Sequence, residues 1–272
     1  MDLTSFTNID PKIFSIPKEG TVFELGHSFH PGIPHHPFHP PFLYSMGRMH
    51  HDLFFDKGLS TANDFFASGT HTGTHIDALG HVSCNGHFHG GIEVEANQTK
   101  TEGLKVHSIT EANPILRRGV LLDLPNLFNV EILEHAYEIS AEDLEASAHK
   151  QGVKLQKGDT VLIRTGWAKY FSNSRLFLSA DKGVPGVTEE AAKWLVSQGM
   201  TLTGSDTVAY EKQPTHELPV HRYLLVDKGI HIMEALNLEE LAQNNVYEFL
   251  FITLPLRING ATGSPIRPIA IV

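Results

Sequence analysis

Residues 70–91 read T-H-T-G-T-H-I-D-A-L-G-H-V-S-C-N-G-H-F-H-G-G. Within them His71, His75, Asp77 and His81 place three imidazoles and a carboxylate in eleven residues. Imidazole nitrogen and carboxylate oxygen are direct ligands of zinc and similar divalent ions. The spacing marks a catalytic metal site, with His81, four residues past the carboxylate, spare for proton transfer.

The same spacing constrains the backbone. In a helix, Asp77 would point roughly 200° away from His75 at 3.6 residues per turn. In a regular strand, His71 and Asp77 would lie roughly 20 Å apart at 3.3 Å per residue. Neither element lets all of these groups reach one ion through bonds of about 2 Å. The segment therefore has to bend, and Gly73, free of a Cβ, is placed to allow it. The expectation is a strand ending in an irregular turn, with Asp77 binding one ion or bridging two. A polar surface loop is the plainer alternative in a chain with 18 histidines. The Gly-Thr between the histidines and the carboxylate at short range weigh against it.

The rest of the 272 residues bounds the class of protein. Hydrophobic residues make up 41% and charged residues 19%, ordinary for a soluble globular chain. A formal net charge of −10 argues against a nucleic-acid or anionic-membrane partner. No apolar run approaches the roughly 20 residues that span a bilayer, and residues 1–20 lack the order of a signal peptide. One cysteine, Cys84, excludes an internal disulfide framework and fits a cytoplasmic location.

Residues 1–20 read as an N-terminal arm and 21–272 as a single domain. Residues 21–24 are a short strand candidate. The proline- and histidine-rich stretch 26–42 is neither helix nor central strand; it is a disordered loop or an ordered lid. Residues 119–124, 160–164, 200–204, 247–255 and 266–272 read as strands. Ser140 caps a helix to about Gln151, and Thr188 begins another that Gly199 stops. A short helix starts at Asn237, with Glu240 three residues after its cap. Interleaved strands and helices predict an α/β protein with a mixed sheet or compact barrel surrounded by helices.

His221 and Glu234 form a second pairing, on either side of V-D-K-G, which reads as a tight turn between two strands. A hairpin there would bring both groups together to complete a metal site. The alternatives are a hydrogen-bonded structural histidine and a glutamate paired with Arg222.

The H-T-G-T-H-I-D-A-L-G-H segment resembles the H-x-G-T-H-x-D-x-P-x-H signature of the cyclase family of metal-dependent hydrolases. That family includes bacterial kynurenine formamidase and isatin hydrolase. Further resemblance lies in E-L-G-H-S-F-H-P-G-I-P, G-S-D-T-V-A-Y-E, H-R-Y-L-L with I-M-E-A-L, and the tail P-L-R-I-N-G-A-T-G-S-P-I-R-P-I-A-I-V. It covers most of the chain from about Thr21 onward. The resemblance implies metal ligation by His71, His75 and Asp77 and a catalytic base at His81. It matches His221 and Glu234 to the residues that bind a second ion in two-zinc members; Glu234 is also a candidate catalytic group. It implies zinc or manganese, one or two ions, a swivelling β/α/β fold, and dimers or tetramers. Leu79 stands where the family pattern has proline, a departure from the kynurenine formamidase subgroup. The spacing from His221 to Glu234 is about one residue longer than the pattern, which leaves the number of ions open.

The expected activity is hydrolysis of a carbon–nitrogen bond in an isatin-like lactam or an N-formyl arylamine. The competing readings are a lyase or cyclase acting through an enolate, and a non-catalytic metal-binding protein. Cys84 as a nucleophile lacks any accompanying signature. His87 and His89 lie among glycines, as a solvated loop does, and the histidines at 27, 30, 35, 36 and 39 are mostly expected at the surface. G-A-T-G-S-P lacks the lysine of a phosphate-binding loop and reads as a turn. The Phe54–Phe55 and Phe65–Phe66 pairs are core by default, or part of a pocket for a planar substrate.

Overall fold

The apolar runs form the strands expected of them, and nearly all join one sheet. The computed structural model describes residues 9–272. Eleven strands of three or more residues run along this stretch. They are β1 (Val22–Glu24), β2 (Leu43–Arg48), β3 (Asn63–Ala67), β4 (His75–Asp77), β5 (Ile115–Asp123) and β6 (Thr160–Arg164). There follow β7 (Leu202–Ser205), β8 (Ile232–Glu234), β9 (Glu248–Thr253), β10 (Gly263–Pro265) and β11 (Ile269–Ile271). All but β2 and β3 belong to one curled sheet ordered β1-β11-β9-β5-β6-β7-β8-β4-β10. Its centre, β5 to β8, is parallel. Both flanks are antiparallel, so the sheet is mixed as expected.

The central strands bury both faces, as their unbroken apolar runs require. Val120, Leu122, Val161 and Ile163 face the helices Ala141–Gln151 and Glu189–Ser197, where Leu144, Ala148, Ala191 and Leu195 meet them. The alternate residues Leu121 and Leu162 face Ile76, Met233, Phe249 and Phe251. The first helix carries a capping box between Ser140 and Asp143 and ends at Gly152 with φ 69°. The second is capped by the Thr188 side chain.

Three local expectations are corrected. The helix placed at Asn237 begins at Glu239 with Leu238 in the capping position, while the Asn237 side chain accepts from the Glu239 N–H at 3.4 Å. The Phe54–Phe55 and Phe65–Phe66 pairs are not core: all four rings are roughly half exposed or more, on or near the β2–β3 hairpin. The third concerns V-D-K-G, which is not a turn between strands. Pro219–His221 is a helical turn that runs on through wide π-helical turns, Arg222–Lys228, to Gly229. Leu224 and Leu225 bury on that helix, and Gly229 ends it in the left-handed conformation. A left-handed glycine serves a turn or a helix terminus equally well. Of the N-terminal arm, residues 1–8 lie outside the described part, and Pro11–Ser15 is a short 3-10 turn.

Candidate metal centre

Register assembles the site. β4 lies between β8 and β10, with His75 directly opposite Glu234 and Asp77 opposite Gly263. Side chains two apart on a strand share a face, so His75 and Asp77 point the same way while Ile76 enters the core. Irregular backbone flanks this strand on both sides, with the bend at Gly73 before it and the expected turn, Leu79–His81, after it. Gly73 takes φ 68° and lets His71 fold back beside Asp77. The turn is tied at Thr72, whose hydroxyl donates to the Pro40 carbonyl (2.8 Å), and at Thr74, whose hydroxyl donates to that of Ala235 (2.6 Å). A 3-10 turn, Leu79–His81, then returns His81 to the same spot. The His81 ring stacks on that of His71 at 3.9 Å between centroids.

His71, Asp77 and His81 each offer one ligand atom within 4.8 Å of the others, and so do Asp77, His221 and Glu234. Asp77 belongs to both groups. His75 Nε2 lies 3.5 Å from Asp77 Oδ1 and 3.5 Å from Glu234 Oε2, between them. His221 Nε2 lies 3.6 Å from Asp77 Oδ2 and 3.1 Å from Glu234 Oε1. All six residues whose roles were expected thus meet in one place. The alternative partner for Glu234, Arg222, instead reaches Glu189 at 3.4 Å.

The histidines are aimed by their second nitrogens. His75 Nδ1 donates to the Gly73 carbonyl at 2.8 Å, and His221 Nδ1 donates to Glu211, leaving each Nε2 facing inward. A partner that fixes the tautomer in this way is the usual support of a metal-ligating imidazole. Burial disfavours charge on His221, but Asp77, Glu211 and Glu234 around it push its pKa well up. For Asp77, burial opposes ionisation, yet His81, His71 and His221 hold its carboxyl well below the ordinary range. Burial pushes His81 down to about 3 despite the pull of Asp77, so this imidazole is held in its neutral form.

Do these residues fit a cation? Asp77 Oδ2 is buried and has no hydrogen-bond partner among the described residues. A carboxylate oxygen so placed costs free energy unless a donor or a cation meets it. A side chain at Gly263 would put its Cβ 2.7 Å from His71 Cε1, so the bare backbone there keeps room for the ring. Nitrogen and oxygen donors without thiolate suit zinc, manganese and similar ions. The residues fit.

The site opens into a cavity of about 410 Å³. Its lining includes five of the six expected residues, His36, Phe38 and His39 from the 26–42 stretch, and Val208, Gln213, His216 and Leu218. That stretch is therefore a wall of the site and not a detached loop. His39 lies 5.0 Å from the His71 ring, and burial first, then the neighbouring histidines, pushes its pKa down to about 4. His27, expected at the surface, is instead stacked on Phe171 at 3.6 Å. Cys84 is half-buried and does not line the cavity.

Glu211 was not legible as a site residue. Its carboxylate accepts from the backbone N–H of Val220 (3.0 Å) and His221 (3.2 Å) as well as from the His221 ring. The one signal was its place at the end of G-S-D-T-V-A-Y-E. His231, whose Nδ1 donates to the Asp77 carbonyl at 2.7 Å, and Thr262, 2.9 Å from His71 Nε2, were equally silent. Asp206, in the same quoted stretch, accepts from Thr165 and Gly166 and is structural; burial pushes its carboxyl up to about 6.

A curled mixed sheet with a buried imidazole–carboxylate cluster at its antiparallel edge defines the class, and comparison with known proteins gives the family. A family model described as putative cyclase matches residues 23–212, and the chain belongs to that family. Cyclase-like protein 2 of Oryza sativa subsp. japonica is 32% identical over 204 residues, covering 74% of this chain and 62% of its own length. The chain thus spans about three fifths of that relative. Kynurenine formamidase of Bacillus thuringiensis subsp. konkukian is 28% identical, covering 73% of this chain and 75% of its own. Isatin hydrolase of Roseibium aggregatum is 24% identical, covering 75% and 72%. A crystal structure described as a novel cyclase superposes with a TM-score of 0.88 at 29% identity, covering 97% of this chain and 94% of that one. Two of these relatives thus bear the names of hydrolases.

Proposed function

We propose that this chain is a metal-dependent hydrolase of a carbon–nitrogen bond in a cyclic or aryl amide, such as an isatin-like lactam or an N-formyl arylamine. The observation that carries it is the shared Asp77 carboxylate, which serves both donor groups and has one buried oxygen without a hydrogen-bond partner among the described residues. Zinc or manganese, as one or two ions, suits this donor set. Such an ion, when bound, polarises a carbonyl and lowers the pKa of a water towards neutrality. His81 accepts the proton of the attacking water and returns one to the departing nitrogen. Phe38, Val208 and Leu218 supply apolar wall for a planar ring, and Gln213 and His216 supply polar contacts to orient it. The hydrolase names of two relatives support the reaction class.

A second reading of His81 has its own observation: it lies within ligand range of His71 and Asp77. In a two-ion centre it binds metal instead of moving protons. Metal analysis joined to a screen of lactams and arylformamides in oxygen-18 water tests the whole proposal. Hydrolysis puts the heavy oxygen into the product acid. Turnover without it points to a lyase or cyclase acting through an enolate, and bound metal with no turnover points to a binding protein.

A further inference from the structure

The stretch H-P-F-H-P-P-F, residues 36–42, holds the His39 ring beside the metal centre without making it a member of either donor group. The His39 backbone N–H donates to the His36 carbonyl at 2.9 Å, closing a turn. Pro37 and Pro40 flank His39 in this turn, and proline fixes its own φ at about −65°. Both ends of the turn are tied to the ligand segment at one residue. His35 forms a β-bridge with Thr72, and the Pro40 carbonyl accepts from the Thr72 hydroxyl at 2.8 Å. The same carbonyl accepts from the Gly69 N–H at 3.3 Å, and Phe42 is buried just beyond. Thr72 is the chain neighbour of His71, so His39 keeps a set distance from the ligands. A side chain supported in this way is suited to hold a bound molecule in one geometry.

The surroundings of the ring say what it does there. It lines the cavity of about 410 Å³, its centroid 5.0 Å from that of His71 and 6.2 Å from that of His81. His71 does not need it for packing, because that ring already stacks on His81 at 3.9 Å. His71, His75 and His221 are each engaged through a ring nitrogen by another side chain or a carbonyl. Among the described residues no hydrogen bond holds the His39 ring. An imidazole presents at least one N–H donor in either protonation state. A fixed donor in the wall of a cavity favours a ligand with an acceptor opposite it.

We propose that His39 is a substrate-binding residue that donates a hydrogen bond to a second carbonyl oxygen of the substrate, close to the scissile amide. This rests on the hydrolysis proposed above, in which the scissile carbonyl itself lies at the ion. His39 stands one ring beyond His71 and His81, so it meets the atoms next to that carbonyl and not the far end of the substrate. Isatin carries such an oxygen, the ketone beside its amide. An N-formyl arylamine carries one when an acyl group stands ortho to the nitrogen. Oxindole, the isatin lactam without the ketone, does not. A site built around a hydrogen bond discriminates against the analogue that lacks the group, because its own donor is then left unpaired.

Steady-state kinetics with isatin, joined to calorimetric binding of oxindole, tests this on the zinc-loaded protein. His39→Leu should lower kcat/KM for isatin about 10-fold, as loss of one hydrogen bond does. The loss should sit in KM and leave kcat nearly unchanged, the mark of lost binding. His39→Gln, which keeps an N–H donor, should recover most of it. Oxindole should bind wild type and both variants equally, and metal content should stay at wild type; a ring that only packs against His71 would move both. An unchanged KM for isatin in His39→Leu, an equal loss for oxindole, or a fall in metal content would each overturn the assignment. Should wild type leave isatin intact, the hydrolase reading is judged by the wider amide screen and His39 by calorimetry of isatin itself. A preference for isatin over oxindole that His39→Leu erases upholds the assignment; equal binding of the two, or none by isatin, overturns it.

Discussion

Asp77 is where the centre is decided, because it alone belongs to both donor groups. Asp77→Ala should lower bound metal below about one tenth of wild type and abolish turnover, since the charged ligand the two groups share is lost. Plasma emission on the purified variant checks it, and wild-type metal content would disprove the assigned centre. His81→Ala separates two roles. As a base it should cost about 100- to 10,000-fold in turnover with metal retained; as a ligand it should take an equivalent of metal with it. Glu211 acts through His221. Glu211→Gln keeps an acceptor for the backbone N–H groups but weakens the hold on the ring, so metal affinity should fall about 10- to 100-fold. Competition with a chromogenic chelator measures that fall, and an unchanged affinity removes Glu211 from the account.

At the scale of elements, the site depends on a strand of three residues with irregular backbone on either side. Gly73 needs φ 68°, and a Cβ there would lie 3.0 Å from the Phe29 ring and 3.1 Å from Ile33. Gly73→Ala should therefore destabilise the fold by about 1–2 kcal/mol from backbone strain, and displace His71 or His75. Thermal unfolding with and without added zinc reads both effects: the melting temperature falls, and the metal-induced rise shrinks. The strands and capped helices around this segment were plain in the sequence, as Ser140 and Thr188 show. The helix after Pro219 was not, because its glycine terminus carries the same local signal as a turn.

For the whole molecule, metal and fold are linked. An ion that binds only the folded chain stabilises it by about 2.7 kcal/mol at a hundredfold excess over its dissociation constant. Its ligands must first lose their protons, so this stabilisation should be larger at pH 8 than at pH 6 and should vanish with a chelator. Calorimetric scans at the two pH values check the sign; an equal metal-induced shift at both would mean that the ion is not held by the imidazoles. The net charge of −10 adds a general attraction for cations that salt screens, so the comparison belongs at constant ionic strength.

The sequence by itself determined what lies within a few residues of chain: the ligand spacing from His71 to His81, the need for a bend at Gly73, the helix caps and the doubly buried strands. Covalent geometry and local hydrogen bonding set these, and neither needs the rest of the molecule. The tertiary structure alone decided the remainder. Sheet register sets Glu234 opposite His75, and the Pro219 helix brings His221 to Glu211. The turn at Thr72 joins the 26–42 stretch to the wall of the site, and the aromatic pairs on or near the β2–β3 hairpin face outward. Each of these depends on which distant surfaces close against one another, a matter of sheet order and available apolar area that residue spacing does not encode.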